Sequence, residues 1–257
     1  MPILRIDNTD INYATGKNGI ANGKKNLLFI HGAGGNHKVW LMQIRYFKDN
    51  YNPIAIELPG HGESTGDGEK DIDSYAEWIK KIIERLSLQT CFIIGHSMGG
   101  AIALSFALKY PRSLDGIVLV GTGARLKVSP DILNGIMDNF NNAVKLICKF
   151  AYSDHISSYI IEIGEKEMLK TRPDVFYSDF AACNAFDILK DVKNIEVPAM
   201  IICGSEDRLM FPKYSHFLNE SIKGSKLSII NDSGHMVMIE KTKIFNEKIE
   251  GFISHLP

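Results

Sequence analysis

A serine hydroxyl attacks a carbonyl at neutral pH only when a base takes its proton and a carboxylate orients that base. Ser97, His235 and Asp207 supply one group of each kind, in the chain order Ser, Asp, His. Ser97 is the centre of Gly95-His96-Ser97-Met98-Gly99, directly after the apolar run CFII and before GGAIALSFAL. A strand, a sharp turn and a helix in that succession lift the hydroxyl above the sheet edge and aim the helix's first amides at an incoming carbonyl. Gly95 and Gly99 suit so tight a turn because larger side chains would collide across it. A second match to the pattern, Gly62-Glu63-Ser64-Thr65-Gly66, has no strand before it and no helix after it, so Ser64 reads as a loop residue.

The partners are expected at the ends of later strands. Asp207 follows AMIICG and His235 follows KLSIIN; Glu206 is the neighbouring, weaker choice of carboxylate. The strand after the nucleophile's helix ends in GTGAR and offers no competing acid. An oxyanion needs two N–H donors. Met98 supplies one, and the loop HGAGGNHKVW supplies Ala33, or Gly34 if the turn is displaced by one residue. Gly34, Trp40, Phe211 and Met236 lie near these loops in sequence and are candidate substrate contacts, with Met137 and Phe140 from a helical segment further on. Among the other histidines, His31 and His96 are expected to hold their loops and His61 its Gly-rich turn. His37, His155, His216 and His255 are expected to face solvent.

These loops need a scaffold. ILRID and INYAT read as a hairpin. NLLFI (26–30), NPIAIE (52–57), CFIIG (91–95), GIVLVG (116–121), AMIICG (199–204) and KLSIIN (226–231) are short, nearly continuous apolar runs, as strands covered on both faces are. Helical periodicity over 73–86, 99–110, 212–223 and 240–256 alternates with them, which predicts an α/β fold with a mostly parallel sheet flanked by helices. From 125 to 192 no strand is expected, only helical patterns, the first opening on Ser129 as cap and Pro130 at the first helical position. The expected organisation is a core of 1–124 and 193–257 with a helical lid insertion at 125–192.

Composition narrows the function classes. The chain has 257 residues, 45% hydrophobic and 23% charged, and a formal net charge of −1, so neither nucleic acid nor an anionic membrane is an expected partner. No apolar run reaches a membrane span, and the N-terminal stretch MPILRIDNTD lacks the pattern of a signal peptide. Cys91, Cys148, Cys183 and Cys203 lie far apart in no metal-binding spacing, which suits a reducing, cytoplasmic setting. No metal or organic cofactor is expected, and oligomeric state is not encoded in any visible stripe.

HGAGG, ELPGHGES, GHSMGG, CGSEDRLM and DSGHMVMIE together resemble the α/β-hydrolase superfamily, in particular its small lid-bearing carboxylesterase-like members. The resemblance runs from about Leu27 to the C-terminus. It implies Ser97, Asp207 and His235 as catalytic triad, Ala33 and Met98 as oxyanion hole, and hydrolysis of a small carboxylic ester through an acyl-enzyme. Resembling groups with the same three residue types also include C–C bond hydrolases, lyases like the menaquinone-pathway synthases, and ligand sensors that keep the triad. Glu57 departs from the Asp common at its position, which shapes a turn.

Overall fold

The computed structural model describes residues 1–17 and 19–256, so position 18 of the polar loop before the third strand lies outside the described residues. The strands are β1 (Ile3–Ile6), β2 (Thr9–Thr15), β3 (Asn26–Ile30), β4 (Asn52–Ile56), β5 (Cys91–His96), β6 (Leu114–Val120), β7 (Ala199–Gly204) and β8 (Lys226–Ile230). They form one eight-stranded sheet in the order β1-β2-β4-β3-β5-β6-β7-β8. β1 and β2 make the expected antiparallel hairpin, and β2 runs antiparallel to β4. All pairings from β4 through β8 are parallel.

Every residue of β4, β5 and β7 is buried, which is why these strands read as unbroken apolar runs. Helices α1 (Leu41–Phe47), α2 (Ile72–Arg85) and α3 (Met98–Lys109) precede four more, α4 (Pro130–Asp138), α5 (Phe140–Ala151), α6 (Ser158–Met168) and α7 (Pro173–Ala185). α8 (Pro212–Ser221), α9 (Val237–Glu240) and α10 (Thr242–Ile253) complete the chain. On one sheet face Phe29 packs with Trp40 and Phe47 of the α1 region and Phe245 of α10. On the other, Leu28 and Ile93 pack with Ile79 of α2, Ile102 of α3 and Leu218 of α8.

β3 lies between β4 and β5, and the connections that leave β3 and β5 pack on opposite faces of the sheet. The chain after β3 turns to α1 and the chain after β5 turns to α3, so a crevice opens between the C-terminal ends of β3 and β5. In an open α/β sheet that is where ligands bind. The HGAGG loop forms one wall and Ser97 the other.

Two helices differ from the sequence pattern. α1 had no counterpart there because its periodicity is broken: Leu41 and Met42 face out, while Gln43 is buried alongside Ile44 and Phe47 and donates to the Met238 carbonyl (3.1 Å) and Asn246 Oδ1 (3.0 Å). The helix expected over 240–256 is α10, which starts at Thr242 because Lys241, with φ of −129° and ψ of 46°, separates it from the short α9 before it.

Between β6 and β7 the described chain holds α4 to α7 and no strand. Ser129 caps α4 by accepting from the Asp131 N–H, with Pro130 at its start. Ile136, Val144, Ile147 and Phe176 give these helices a cluster of their own. They are also tied to the sheet: Arg208 donates to the Tyr152 carbonyl (2.6 Å) and the Met236 N–H to the Ala151 carbonyl (3.2 Å).

Candidate active site

Ser97 follows β5 at the N-cap of α3, in a backbone conformation few side chains adopt, φ 52° and ψ −114°. The turn is held by Ser97 N–H donating to the Val120 carbonyl (2.8 Å) and by Thr122 Oγ donating to the Ser97 carbonyl (2.9 Å). Its tightness dictates the flanking residues: a Cβ on Gly95 would lie 2.1 Å from the Gly99 carbonyl oxygen, and one on Gly99 2.4 Å from that of Ile30. A strained residue whose surroundings leave it no alternative is a mark of a functional position. Ser64 has no such role. It is buried in its loop, donating to the Glu57 carbonyl (2.9 Å) and accepting from Asn12 N–H (2.8 Å).

Asp207 and His235 come from the loops after β7 and β8 and meet with Asp207 Oδ2 2.8 Å from His235 Nδ1. Both are buried, and Asp207 Oδ1 accepts from the N–H groups of Leu209 (3.0 Å) and Met210 (2.7 Å). An ionised carboxylate only accepts, so the proton is assigned to Nδ1 and the lone pair to Nε2. Ser97 and His235 open onto the same cavity of about 510 Å³.

The Ala33 amide is aimed by what lies behind it. The Gly32 carbonyl accepts from His31 Nδ1–H (2.8 Å) and Gly35 N–H (3.0 Å). In a trans peptide the N–H points opposite the carbonyl, so the Ala33 N–H is turned away from those donors. Ala33 lines the cavity, and its N–H has no protein acceptor among the described residues. Gly34 cannot serve instead, because its N–H donates to Asp179 Oδ2 at 2.8 Å. Met98 opens α3 with its N–H in the first turn, where no intrahelical acceptor exists.

The histidines divide sharply. Burial, and then the nearby His61, push His31 down to about 3, so it is the neutral donor its bond to Gly32 requires. Burial, and then the adjacent His235 ring, hold His96 well below its ordinary value, and its Nε2–H donates to the His235 carbonyl (3.1 Å). Burial pushes His61 down as well, but the attraction and hydrogen bond of Asp179 outweigh it and raise its pKa. His37 is a correction: it is buried, with Nδ1 2.6 Å from Glu57 Oε1. Burial raises the Glu57 carboxyl, yet the bonds from His37 and the Glu63 N–H prevail and lower it. Glu57 thus braces the PGHGES loop from inside.

Of the substrate contacts expected from sequence, Met236 lines the cavity. Trp40 does not, being fully buried between Phe29 (ring centroids 5.1 Å apart) and Phe245 (6.2 Å). Phe140 packs edge-on against Phe176 at 5.1 Å instead of facing the cavity. Met137 and Phe211 are 66% and 49% exposed on the outer surface. The lining comes instead from residues such as Ile132, Ile147, Phe150, Met168 and Phe180. Neighbours in sequence to a catalytic loop point into the core as readily as into a pocket.

Asp179 was missed altogether. Its signal is an acid in the middle of the apolar helix PDVFYSDFAACNA, where a charge is kept only with partners. Among the described residues, one group with metal-ligand types in mutual reach is His155, Glu206 and Asp232, with ligand atoms within 4.8 Å. It lies at the surface, where His155 and Glu206 form an ion pair at 3.1 Å. Cys148 and Cys183 line the cavity, and burial pushes the Cys148 thiol up to about 12 and raises that of Cys183, so neither is a thiolate competitor to Ser97.

A mostly parallel eight-stranded sheet flanked by helices, open at the C-terminal ends of β3 and β5, is the architecture of the α/β hydrolases. The chain belongs to the α/β-hydrolase fold family: the family model described as alpha/beta hydrolase fold matches residues 25–146. A solved structure of a thermophilic esterase is 32% identical, with a TM-score of 0.88, covering 98% of this chain and 96% of that one. An uncharacterized hydrolase of Bacillus subtilis is 27% identical, with 98% of both chains covered. A pimeloyl-acyl-carrier-protein methyl ester esterase of Neisseria meningitidis is 23% identical over 89% of this chain and 77% of its own. No helix among the described residues is long and apolar enough to cross a membrane.

Proposed function

We propose that the protein hydrolyses a carboxylic ester with an apolar acyl group through an acyl-enzyme on Ser97. The observation that carries this reading is the Asp207–His235 contact at 2.8 Å, on a histidine that shares its cavity with the strained Ser97. Ser97 Oγ attacks the ester carbonyl as its proton passes to His235 Nε2. The imidazolium is stabilised by Asp207, and the oxyanion receives the N–H groups of Ala33 and Met98. His235 returns the proton to the departing alcohol, leaving the acyl group on Ser97. Water then attacks, its proton going to Nε2, and the acid leaves as the Ser97 hydroxyl re-forms.

Residues 125–192 act as a lid over the core formed by 1–124 and 193–257. Leu126, Ile132, Ile147, Phe150 and Phe180 from this segment line the cavity, and its charged groups are already engaged. Lys38 pairs with Glu167 at 2.8 Å, Lys127 donates to the Asn184 carbonyl (3.2 Å), and Arg208 is spent on the carbonyls of Lys149 and Tyr152. An uncharged, apolar acyl chain suits such walls. Each methylene buried there is worth about 0.8 kcal/mol, or roughly a fourfold gain in kcat/KM, until the cavity is full. The esterase names among the similar proteins support the same substrate class.

Steady-state hydrolysis of p-nitrophenyl esters of graded acyl length tests this. Repeated turnover that rises with chain length and then breaks off supports the reading. A single turnover followed by arrest indicates a ligand sensor, and an inert protein points to a C–C hydrolase or lyase.

A further inference from the structure

We infer that Asp179, in helix α7, is a positioning residue for the oxyanion loop: by binding Gly34 and His61 together it keeps the Ala33 N–H aimed at the substrate carbonyl. The inference rests on the ester-hydrolase reading above. Asp179 touches no reacting atom and acts through the backbone of the HGAGG loop.

The contacts are unusually complete for a residue of the helical insertion. Asp179 is fully buried, and its Oδ2 accepts from Gly34 N–H (2.8 Å) and His61 Nε2–H (2.7 Å). Its Oδ1 accepts from the Tyr75 hydroxyl (2.5 Å). His61 also donates from Nδ1 to the Pro59 carbonyl (3.0 Å), so both ring nitrogens carry protons and the imidazolium balances the carboxylate. The other end of Gly34 is held from the same segment, its carbonyl accepting from Thr171 Oγ (2.9 Å).

The loop is therefore gripped from two sides. His31 and the Gly35 N–H hold the Gly32 carbonyl, and Asp179 with Thr171 holds both polar groups of Gly34. The Ala33 amide lies between these anchors. The His31 and His61 rings are 4.8 Å apart, so the two anchors touch as well. Phe176, one turn before Asp179, closes the space above Gly34: a Cβ there would come within 2.1 Å of its ring. The insertion thus does more than roof the cavity, since it fixes one of the two oxyanion donors. A carboxylate that only stitched helix α7 to the core would have no bearing on how an oxyanion is bound.

The experiment compares wild type with Asp179→Asn on a p-nitrophenyl ester, per folded molecule, alongside inhibition by an alkyl trifluoromethyl ketone, whose adduct with Ser97 carries an oxyanion. The asparagine is nearly isosteric but leaves His61 without its counter-charge. Losing a full oxyanion donor costs about 10²–10³ in kcat, so a misaimed one is expected to cost about ten- to a hundredfold. The ketone Ki rises by a matching factor, and KM stays within about threefold. A kcat within about threefold of wild type, or a loss confined to KM, overturns the inference. If Asp179→Asn does not fold, Thr171→Val carries the test: kcat and ketone affinity fall together by about threefold or more, and unchanged values overturn it. Wild-type turnover abolished by Ser97→Ala upholds the ester reading whatever Asp179 does, whereas an inert wild type overturns both.

Discussion

His235 Nδ1 lies 2.8 Å from Asp207 Oδ2, although the two residues leave different strands and stand 28 positions apart. The carboxylate can only accept, so it selects the tautomer with Nε2 free. Asp207→Asn presents a donor to Nδ1 and favours the opposite tautomer. The expected loss is about 10³–10⁴ in kcat with KM changed by less than about threefold. Steady-state kinetics on one ester check this, and a loss expressed mainly in KM contradicts it.

Gly121 lies directly against that pair, with φ of 53°. A Cβ there would be 3.0 Å from His235 Nδ1 and 3.2 Å from Asp207 Oδ2. Gly121→Ala is expected to lower stability by about 1–2 kcal/mol through backbone strain. By displacing the imidazole it also lowers kcat by about tenfold or more. Urea unfolding and kcat measured on the same preparation check both parts.

Acid stability carries the signature of the buried histidines. His31 is depressed to about 3 in the folded protein, so from pH 6.5 down to that value the unfolded chain binds a proton the folded one refuses. Stability is lost as pH falls through this window, by up to about 1.4 kcal/mol per pH unit from this group. His96 acts in the same sense. His61, raised when folded, acts oppositely: its contribution is complete below 6.5 and is lost as pH rises through its folded value. Urea unfolding between pH 7 and 4 should give a steeper decline for wild type than for His31→Gln. Parallel profiles contradict the assignment.

On the proposed ester reading, the walls that the helical segment supplies set the acyl preference. Phe180 lines the cavity and stacks on Phe176 at 5.0 Å. Phe180→Ala enlarges the cavity and is expected to shift the optimum p-nitrophenyl ester to a longer acyl chain, with about a tenfold loss on the original optimum. An unchanged optimum shows that the chain runs elsewhere.

Much of the scaffold was legible because its strands are covered on both faces. β3 and β7 span the residues expected from NLLFI and AMIICG, and Ser129 caps α4 where its sequence placed a cap. The meeting of Asp207 and His235 was legible for a related reason: adjacent parallel strands end side by side, so loops read off consecutive apolar runs converge. Contacts between distant segments were not legible. Asp179 reaches Gly34 across 145 positions, and His37 is buried by Glu57 rather than by any feature of its own neighbourhood. The cavity lining was hidden because amphipathic periodicity marks a buried face without saying whether a core or a substrate covers it.

The most direct test of the account is an acid quench of the enzyme during turnover of p-nitrophenyl butyrate, followed by intact-mass and peptide analysis. The p-nitrophenolate leaving group makes acylation the faster step, so the acyl-enzyme accumulates in wild type, and His235→Gln, which lacks the base for both steps, serves as the negative control. The account predicts one butyryl group per chain, carried by the peptide containing Ser97 and absent from Ser97→Ala. Ester turnover with no acyl group on Ser97, or with the group on Ser64 or a cysteine, contradicts it.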